Sequence, residues 1–253
     1  MQKMVVVIPC YNEEKRLDVS AFLRYANEYQ NLFLLFVNDG SSDGTSSILS
    51  KMKEENNSIN VLELSKNVGK AEAVRQGFLF VEKQYADVSF IAFYDADLAT
   101  PFTDLVAMLH IASLNDYYLV TGSRIKRMGG NIERKYSRFL LGRIFATFAA
   151  RVLRLPIYDT QCGAKIFKNE IAKNIFSEGF ISKWLFDIEL FARIIIQYGF
   201  ATSLEKIVEY PLTGWKEVQG SKLKLKDIIR QPLNLIKINS HYKLKKHVKS
   251  KSN

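Results

Sequence analysis

The segment Phe90-Ile91-Ala92-Phe93-Tyr94-Asp95-Ala96-Asp97 passes directly from an apolar run into two carboxylates. A short, uninterrupted apolar run suits a strand buried on both faces, and such strands belong to parallel sheets covered by helices. The sequence on either side keeps a matching rhythm. Strands are expected at Met4–Ile8, Leu32–Val37 and Val61–Leu64 before this segment, and at Tyr117–Thr121 after it. Helical patterns fill the intervals at Glu14–Asn27, Gly44–Glu55, Lys70–Lys83 and Phe102–Leu114. The last is expected to open with Thr100 as N-cap and Pro101 at the first helical position. Strand and helix in strict alternation predict an α/β fold, a mostly parallel sheet flanked by helices.

The later half is less regular. Helices are expected at Ser137–Leu153, at Phe186–Gln197 with Gly199 as its stop, and at Leu223–Ile238, broken or kinked at Pro232. Ala164–Phe167 and Leu204–Tyr210 read as short strands. The expected organisation is one domain over residues 1–240, in two halves, to about residue 124 and over 125–240. A lysine-rich tail without fixed structure follows over 241–253.

Sheets of this kind bind ligands beyond the carboxyl ends of their strands. Every expected strand of the first half runs into a polar cluster there: Pro9-Cys10-Tyr11-Asn12-Glu13-Glu14, Asn38-Asp39-Gly40-Ser41-Ser42-Asp43-Gly44, Lys66-Asn67-Val68-Gly69-Lys70, Asp95-Ala96-Asp97 and Gly122-Ser123-Arg124. A turn or an N-cap accounts for any one of them; their convergence on one sheet edge points to a site. Asp95 and Asp97, two residues apart on an extended segment, point the same way and repel each other unless a cation lies nearby. A hard divalent ion held by carboxylates and substrate phosphates resolves that conflict. The bland alternative leaves Asp97 capping the next turn and Asp95 in water. A P-loop is ruled out by Leu64, which stands where glycine is needed before Gly69, and no G-x-G-x-x-G occurs. His110, His241 and His247 lack metal-ligand spacing.

The 253 residues carry a net charge of +10, which suits anionic partners. Nucleic acid is disfavoured: the basic residues concentrate late in the chain, away from the strand ends, with no RNA-stacking motif or recognition helix. Cys10 and Cys162 are expected as free thiols in a reducing compartment. No signal peptide and no run of roughly 18 apolar residues is found, so membrane contact is expected to be peripheral. On Ser137–Leu153 an arc of Leu141, Phe145, Phe148, Ala149 and Val152 opposes Arg143, Thr147, Arg151 and Arg154, a pattern suited to a membrane interface. Leu225, Ile228, Ile229 and Ile236 form a second stripe beside Lys226, Arg230 and Lys237. The tail lysines Lys243, Lys245, Lys246, Lys249 and Lys251 could add roughly 1 kcal/mol per cation at an anionic leaflet.

Several of these motifs occur together in a known family. Val7-Ile8-Pro9-Cys10-Tyr11-Asn12-Glu13-Glu14, Val37-Asn38-Asp39-Gly40-Ser41-Ser42-Asp43-Gly44, Asn67-Val68-Gly69-Lys70, Asp95-Ala96-Asp97 and Gly122-Ser123-Arg124 resemble the family 2 glycosyltransferases of the GT-A fold. Asp159-Thr160-Gln161-Cys162-Gly163, Phe186-Asp187-Ile188-Glu189 and Trp215–Lys222 are similar to a narrower branch, the dolichyl-phosphate and polyprenyl-phosphate glucosyltransferases. The resemblance implies an inverting transfer of a hexose, glucose favoured, from a UDP-sugar to a polyprenyl phosphate on the cytoplasmic face of a membrane.

It also implies a nucleotide-binding half to about residue 124, an acceptor half over 125–240, and residue roles in each. Pro9, Tyr11, Glu13, Val37, Asp39, Lys70 and Ala96 would line the donor pocket, Asp39 at the base edge. Asp95 and Asp97 would hold Mg²⁺ or Mn²⁺, with Ala99 where some relatives carry a further glutamine ligand. Arg124 and Arg138 would bind the acceptor phosphate or the leaving diphosphate, and Lys222 would close over the nucleotide. Asp159, Gln161, Asp187 and Glu189 would contact sugar hydroxyls or orient an arginine, with Asp97, Arg124 and Asp159 as the catalytic set. A rival acceptor, a hydroxyl on a polysaccharide or teichoic acid, would need a base of the Glu-Asp type, and the later part of the chain has no such dipeptide.

Overall fold

The computed structural model describes residues 2–134, 136–217 and 225–244. Its strands are β1 (Met4–Cys10), β2 (Leu32–Asn38), β3 (Ile59–Glu63), β4 (Phe90–Tyr94), β5 (Leu119–Ser123), β6 (Asn131–Glu133), β7 (Ala164–Lys168), β8 (Ile207–Pro211) and β9 (Gly214–Lys216). Seven of them form one sheet in the order β3-β2-β1-β4-β7-β5-β8, and β6 pairs with β9 apart from it. The pairs β1–β2, β1–β4, β2–β3 and β5–β8 are parallel. Only β7 runs against its neighbours, filling the slot between β4 and β5. Tyr94 lies opposite Ala164, so β7 begins where β4 ends. The loop that feeds β7, residues 159–163, therefore lies on the same rim as Asp95.

Helices α1 (Val19–Glu28), α2 (Thr45–Glu55) and α4 (Phe102–Leu114) accompany one face of the sheet. Helices α3 (Lys70–Gln84), α5 (Tyr136–Leu153), α6 (Asn169–Ile175), α7 (Phe186–Tyr198) and α9 (Leu225–Tyr242) accompany the other, and α8 (Phe200–Lys206) leads into β8. Strand side chains alternate between the two layers: Val5, Val7, Leu35, Val37, Ile91 and Phe93 enter one core, while Met4, Val6, Ile8, Leu34, Phe36, Ala92 and Tyr94 enter the other. Each large apolar side chain buried this way contributes about 1.5–3 kcal/mol. Two-sided burial explains why these strands read as unbroken apolar runs.

Several boundaries differ from expectation for local reasons. Helix α1 starts at Val19, capped by Asp18, whose carboxylate accepts from the Ala21 amide at 3.0 Å; Glu13 to Leu17 form a preceding turn. At α4 the cap position belongs to Pro101 and the helix opens at Phe102. Thr100 instead gives its carbonyl to the buried Tyr94 hydroxyl. Residues Leu204–Lys206, expected as strand, close α8. Pro232 lies inside α9 rather than ending it. The helix reaches Tyr242 and Leu244 is buried, so residues 241–244 belong to the packed body. The rest of the tail, from 245, lies outside the described residues.

Candidate active site

The loops after β1, β2 and β3 are laced into one wall. Asn12, in a left-handed conformation (φ 51°), donates its amide to Ser41 Oγ at 3.0 Å and accepts from the Ser42 amide at 2.8 Å. Gly40 (φ 62°) lies against the β3 loop so closely that a Cβ would fall 2.5 Å from the Lys66 carbonyl carbon; side chains are excluded there by both conformation and space. Asp39 is buried, and its two oxygens accept from the Val68 and Gly69 amides at 2.7 and 2.9 Å. That fork fixes the start of α3 and so presents Lys70, whose ammonium pairs with Asp95 Oδ1. Burial lowers the proton affinity of Lys70, but the charges of Asp95 and Asp187 outweigh it and hold the ammonium above its usual range.

Asp97 sits beside this pair and accepts from the Ala99 amide at 3.1 Å. Burial and then the Asp95 charge push its carboxyl above the ordinary aspartate range: two carboxylates share the space and one ammonium does not balance both. Gly163 makes room for them. Its carbonyl accepts from the Asp95 amide at 3.0 Å, and a Cβ there would overlap the Asp95 carboxylate.

The opposite wall is built on Arg124, which follows β5. Its Nε and Nη2 fork onto Asp159 at 2.6 and 2.8 Å, and Nη2 also donates to the Gln161 carbonyl at 3.0 Å. Burial raises the Asp159 pKa, but the Arg124 charge and hydrogen bonds overcome it and hold the carboxyl well below its usual range. Glu209 on β8 accepts from the Tyr158 and Asp159 amides at 2.7 and 2.8 Å and so orients the loop. Between the walls, fully buried Lys165 on β7 donates to Asp187 and to the Cys162 carbonyl, both at 2.7 Å. Burial pushes the Cys162 thiol up to about 11; it and Cys10 are buried and form no disulfide.

The family model for glycosyl transferase family 2 matches residues 5–176, which contain the first wall and most of the second. The chain belongs to glycosyltransferase family 2. Dolichyl-phosphate beta-glucosyltransferase of Dictyostelium discoideum is 30% identical over 255 residues, covering 94% of this chain and 74% of that protein. The Homo sapiens protein of that name is 32% identical over 240 residues (88% and 70% covered), and the Saccharomyces cerevisiae protein 31% over 264 residues (94% and 75%). Among solved structures, glucosyl-3-phosphoglycerate synthase from Mycobacterium tuberculosis with UDP matches at a TM-score of 0.68 and 16% identity, over 94% of this chain and 80% of that one. Its complex with Mn²⁺, UDP and glucosyl-3-phosphoglycerate matches at 0.66 and 15%, over 95% and 80%. These likenesses show the GT-A fold.

In this family 2 enzyme the expected site residues divide into three groups. Asp39, Lys70, Asp95 and Asp97 meet on one wall; Arg124, Asp159 and Gln161 on the other; Asp187 is tied to the floor by Lys165 and acts electrostatically on Lys70. Pro9 pairs with Val37 in the β1–β2 ladder, Tyr11 is half-buried in the next loop, Ala96 is buried between the aspartates, and Glu13 forks Arg16 at 2.6–2.8 Å.

Two residues do not reach the rim. The Val37 side chain is fully buried in the core against the Gly77 turn of α3. Glu189 is also fully buried; it accepts from the Ile181 and Ser182 amides at 3.0 and 2.7 Å and from the Tyr242 hydroxyl at 3.1 Å, a brace for the loop before α7. Arg138 lies in the first turn of α5, its side chain outside the described set, and Lys222 lies outside the described residues. Sequence reasoning missed Lys165, Glu209 and Arg134 and gave Trp215, the first residue of a quoted motif, no role; a lysine inside the apolar run Ala164–Phe167 was the signal for Lys165.

The amphipathic arc of α5 needs correction. Phe145, Ala149 and Val152 pack into the core, and Arg143 lies 3.5 Å from the Tyr158 ring centroid and donates to the Tyr158 carbonyl at 2.7 Å. Among the described side chains the large apolar residues left outside are Leu140, Ile144 and Phe148, 50–56% exposed and four residues apart; the Leu141 side chain lies outside the described set. On α9, Leu233 and Ile236 are 61% and 63% exposed, while the side chains of Leu225, Ile228 and Ile229 lie outside the described set. Among the described residues no helix is long and apolar enough to cross a membrane.

Proposed function

We propose that this glycosyltransferase transfers glucose from UDP-glucose to the phosphate of a polyprenyl lipid, inverting the anomeric carbon, at the cytoplasmic surface of a membrane. The observation that carries the acceptor assignment is the commitment of the carboxylates on the acceptor side. Asp159 is forked by Arg124, Asp187 is paired with Lys165, Glu189 is buried under backbone amides, and Glu209 holds two more. None is placed to remove a proton from a sugar hydroxyl. A phosphomonoester avoids that need, because it carries about 1.5–2 negative charges near pH 7 and arrives as a nucleophile. The relatives named above act on dolichyl phosphate, which supports the same reading.

Asp95 and Asp97 fit Mg²⁺ or Mn²⁺. They are a hard oxygen pair with unbalanced negative charge, in a space kept open by Gly163. Among the described residues no third His, Cys, Asp or Glu joins them, so diphosphate oxygens and water would complete the shell. When bound, the ion neutralises charge on the departing diphosphate. The chain's own residues do the rest. Asp39 braces the loop that faces the base, Lys70 offers a second cation to the diphosphate, and Asp159 fixes Arg124 at the acceptor wall. The experiment is transfer from radiolabelled UDP-glucose with polyprenyl phosphate and soluble sugars as rival acceptors. Label is expected in the organic phase; label confined to water-soluble product overturns the proposal.

A further inference from the structure

Ile132 of β6 lies opposite Trp215 of β9, and this short ribbon delivers Arg134, one residue past its end, to the Arg124–Asp159 fork. Two guanidiniums thus flank one indole: the Arg124 and Arg134 carbons lie 5.4 and 4.9 Å from the Trp215 ring centroid. They are treated unequally. Arg124 spends its Nε and Nη2 on Asp159 and Gln161. The side chain of Arg134 is only 16% exposed, yet its buried Nη2 has no hydrogen-bond partner among the described residues. Among the described residues the nearest carboxylate oxygen, Asp159 Oδ2, is 3.7 Å away, beyond hydrogen-bond distance, and already accepts from Arg124.

Charge is out of balance at the same place. Burial, then the Arg124 charge, lower the Arg134 pKa to about 10; one aspartate is shared by two arginines. Buried charged donors are costly when unsatisfied, so an arginine held in this state calls for a partner that the described residues do not supply. Two more groups adjoin in sequence. Ser123 Oγ and Thr160 Oγ1, in residues 2% and 1% exposed, also lack partners. An indole face and a guanidinium whose Nη2 lacks a described partner match an anion rich in acceptor oxygens.

We propose that Arg134, seated on Trp215, is the residue that grips the acceptor's phosphate head, and that Arg124 is a positioning residue that anchors Asp159 and crowds Arg134 towards its ligand. This rests on the phosphate acceptor proposed above. The donor diphosphate is the competing occupant, and the test separates the two.

The chain has two tryptophans, Trp184 and Trp215, so Trp184→Phe leaves Trp215 as sole reporter. Titrating that protein with inorganic phosphate is expected to change Trp215 emission saturably, with the change lost in an added Arg134→Ala and weakened in Arg134→Lys, which keeps charge but not the fork. In steady-state assays of the otherwise intact enzyme with a water-soluble short-chain prenyl phosphate, Arg134→Ala is expected to raise the acceptor KM at least about tenfold while the UDP-glucose KM stays fixed. An unchanged acceptor KM, or an equal rise in both KM values, overturns the assignment. A phosphate titration that depends on Arg134, in a protein that glucosylates no prenyl phosphate, supports the anion grip and overturns the lipid acceptor instead.

Discussion

Gly163 sets the position of Asp95 by having no side chain, and it is the most economical place to disturb the donor wall without removing a charged group. In Gly163→Ala the new methyl overlaps the Asp95 carboxylate, which must move. Displacements of about 1 Å at reacting groups cost about a hundredfold in rate, so transfer is expected to fall by that order while circular dichroism and UDP-independent folding persist. Lys165 gives the opposite outcome. Lys165→Met leaves Asp187 buried without its ion pair, and urea unfolding is expected to show a loss of about 3–5 kcal/mol. Asp159 makes stability depend on pH. Its folded pKa is depressed by Arg124, so its contribution is present above the unfolded aspartate value of about 4 and is lost as pH falls through the folded value. Urea midpoints between pH 6 and pH 2 are expected to decline at the acid end, and Asp159→Asn to flatten that decline. Legibility at this scale followed chain distance. Asp95 and Asp97 announce themselves because both partners sit in one tripeptide, whereas Lys165, Arg134 and Trp215 acquire meaning only from residues that the fold brings in from elsewhere.

At the scale of elements, the spans of β4 and α4 were legible to the residue, because an unbroken apolar run and a long apolar helical pattern are strong local signals, although the cap of α4 moved from Thr100 to Pro101. The reversal of β7 was not, since a strand's sequence does not state its direction, and that reversal is what carries Asp159 and Gly163 to the rim. Strands β6 and β9 are three residues each, too short for any period to register, yet their pairing places Arg134 beside Trp215. Helix α5 shows a different limit: a 3.6-residue period marks an apolar face but not what covers it. The arc on Phe145 and Ala149 is covered by core, and the stripe Leu140, Ile144 and Phe148 remains for a partner. If that partner is the lipid surface, Ile144→Asp with Phe148→Asp is expected to lower flotation with anionic vesicles severalfold. Both sites are more than half or about half exposed, so the melting temperature is expected to hold, surface changes costing within about 0.5 kcal/mol each. Unchanged flotation removes α5 from the interface.

For the molecule as a whole, the charge of +10 and the exposed apolar stripes on α5 and α9 make separable demands on a membrane. Apolar insertion responds little to salt, whereas attraction of lysines and arginines to an anionic leaflet is worth roughly 1 kcal/mol per nearby cation and decays over the Debye length. That length falls from about 10 Å at 0.1 M salt to about 3 Å at 1 M. Vesicle binding is therefore expected to be strong on anionic lipid at low salt, to weaken steeply as salt rises, and to level off at a residue of binding that neutral vesicles share. The level portion should fall in the doubly substituted α5 variant, leaving what α9 contributes, and the salt-sensitive portion should survive it. Binding that ignores both salt and lipid charge would leave the basic surface without a role at the membrane. The cytoplasmic placement would fall with it, because only an anionic leaflet distinguishes that face for a chain of this charge.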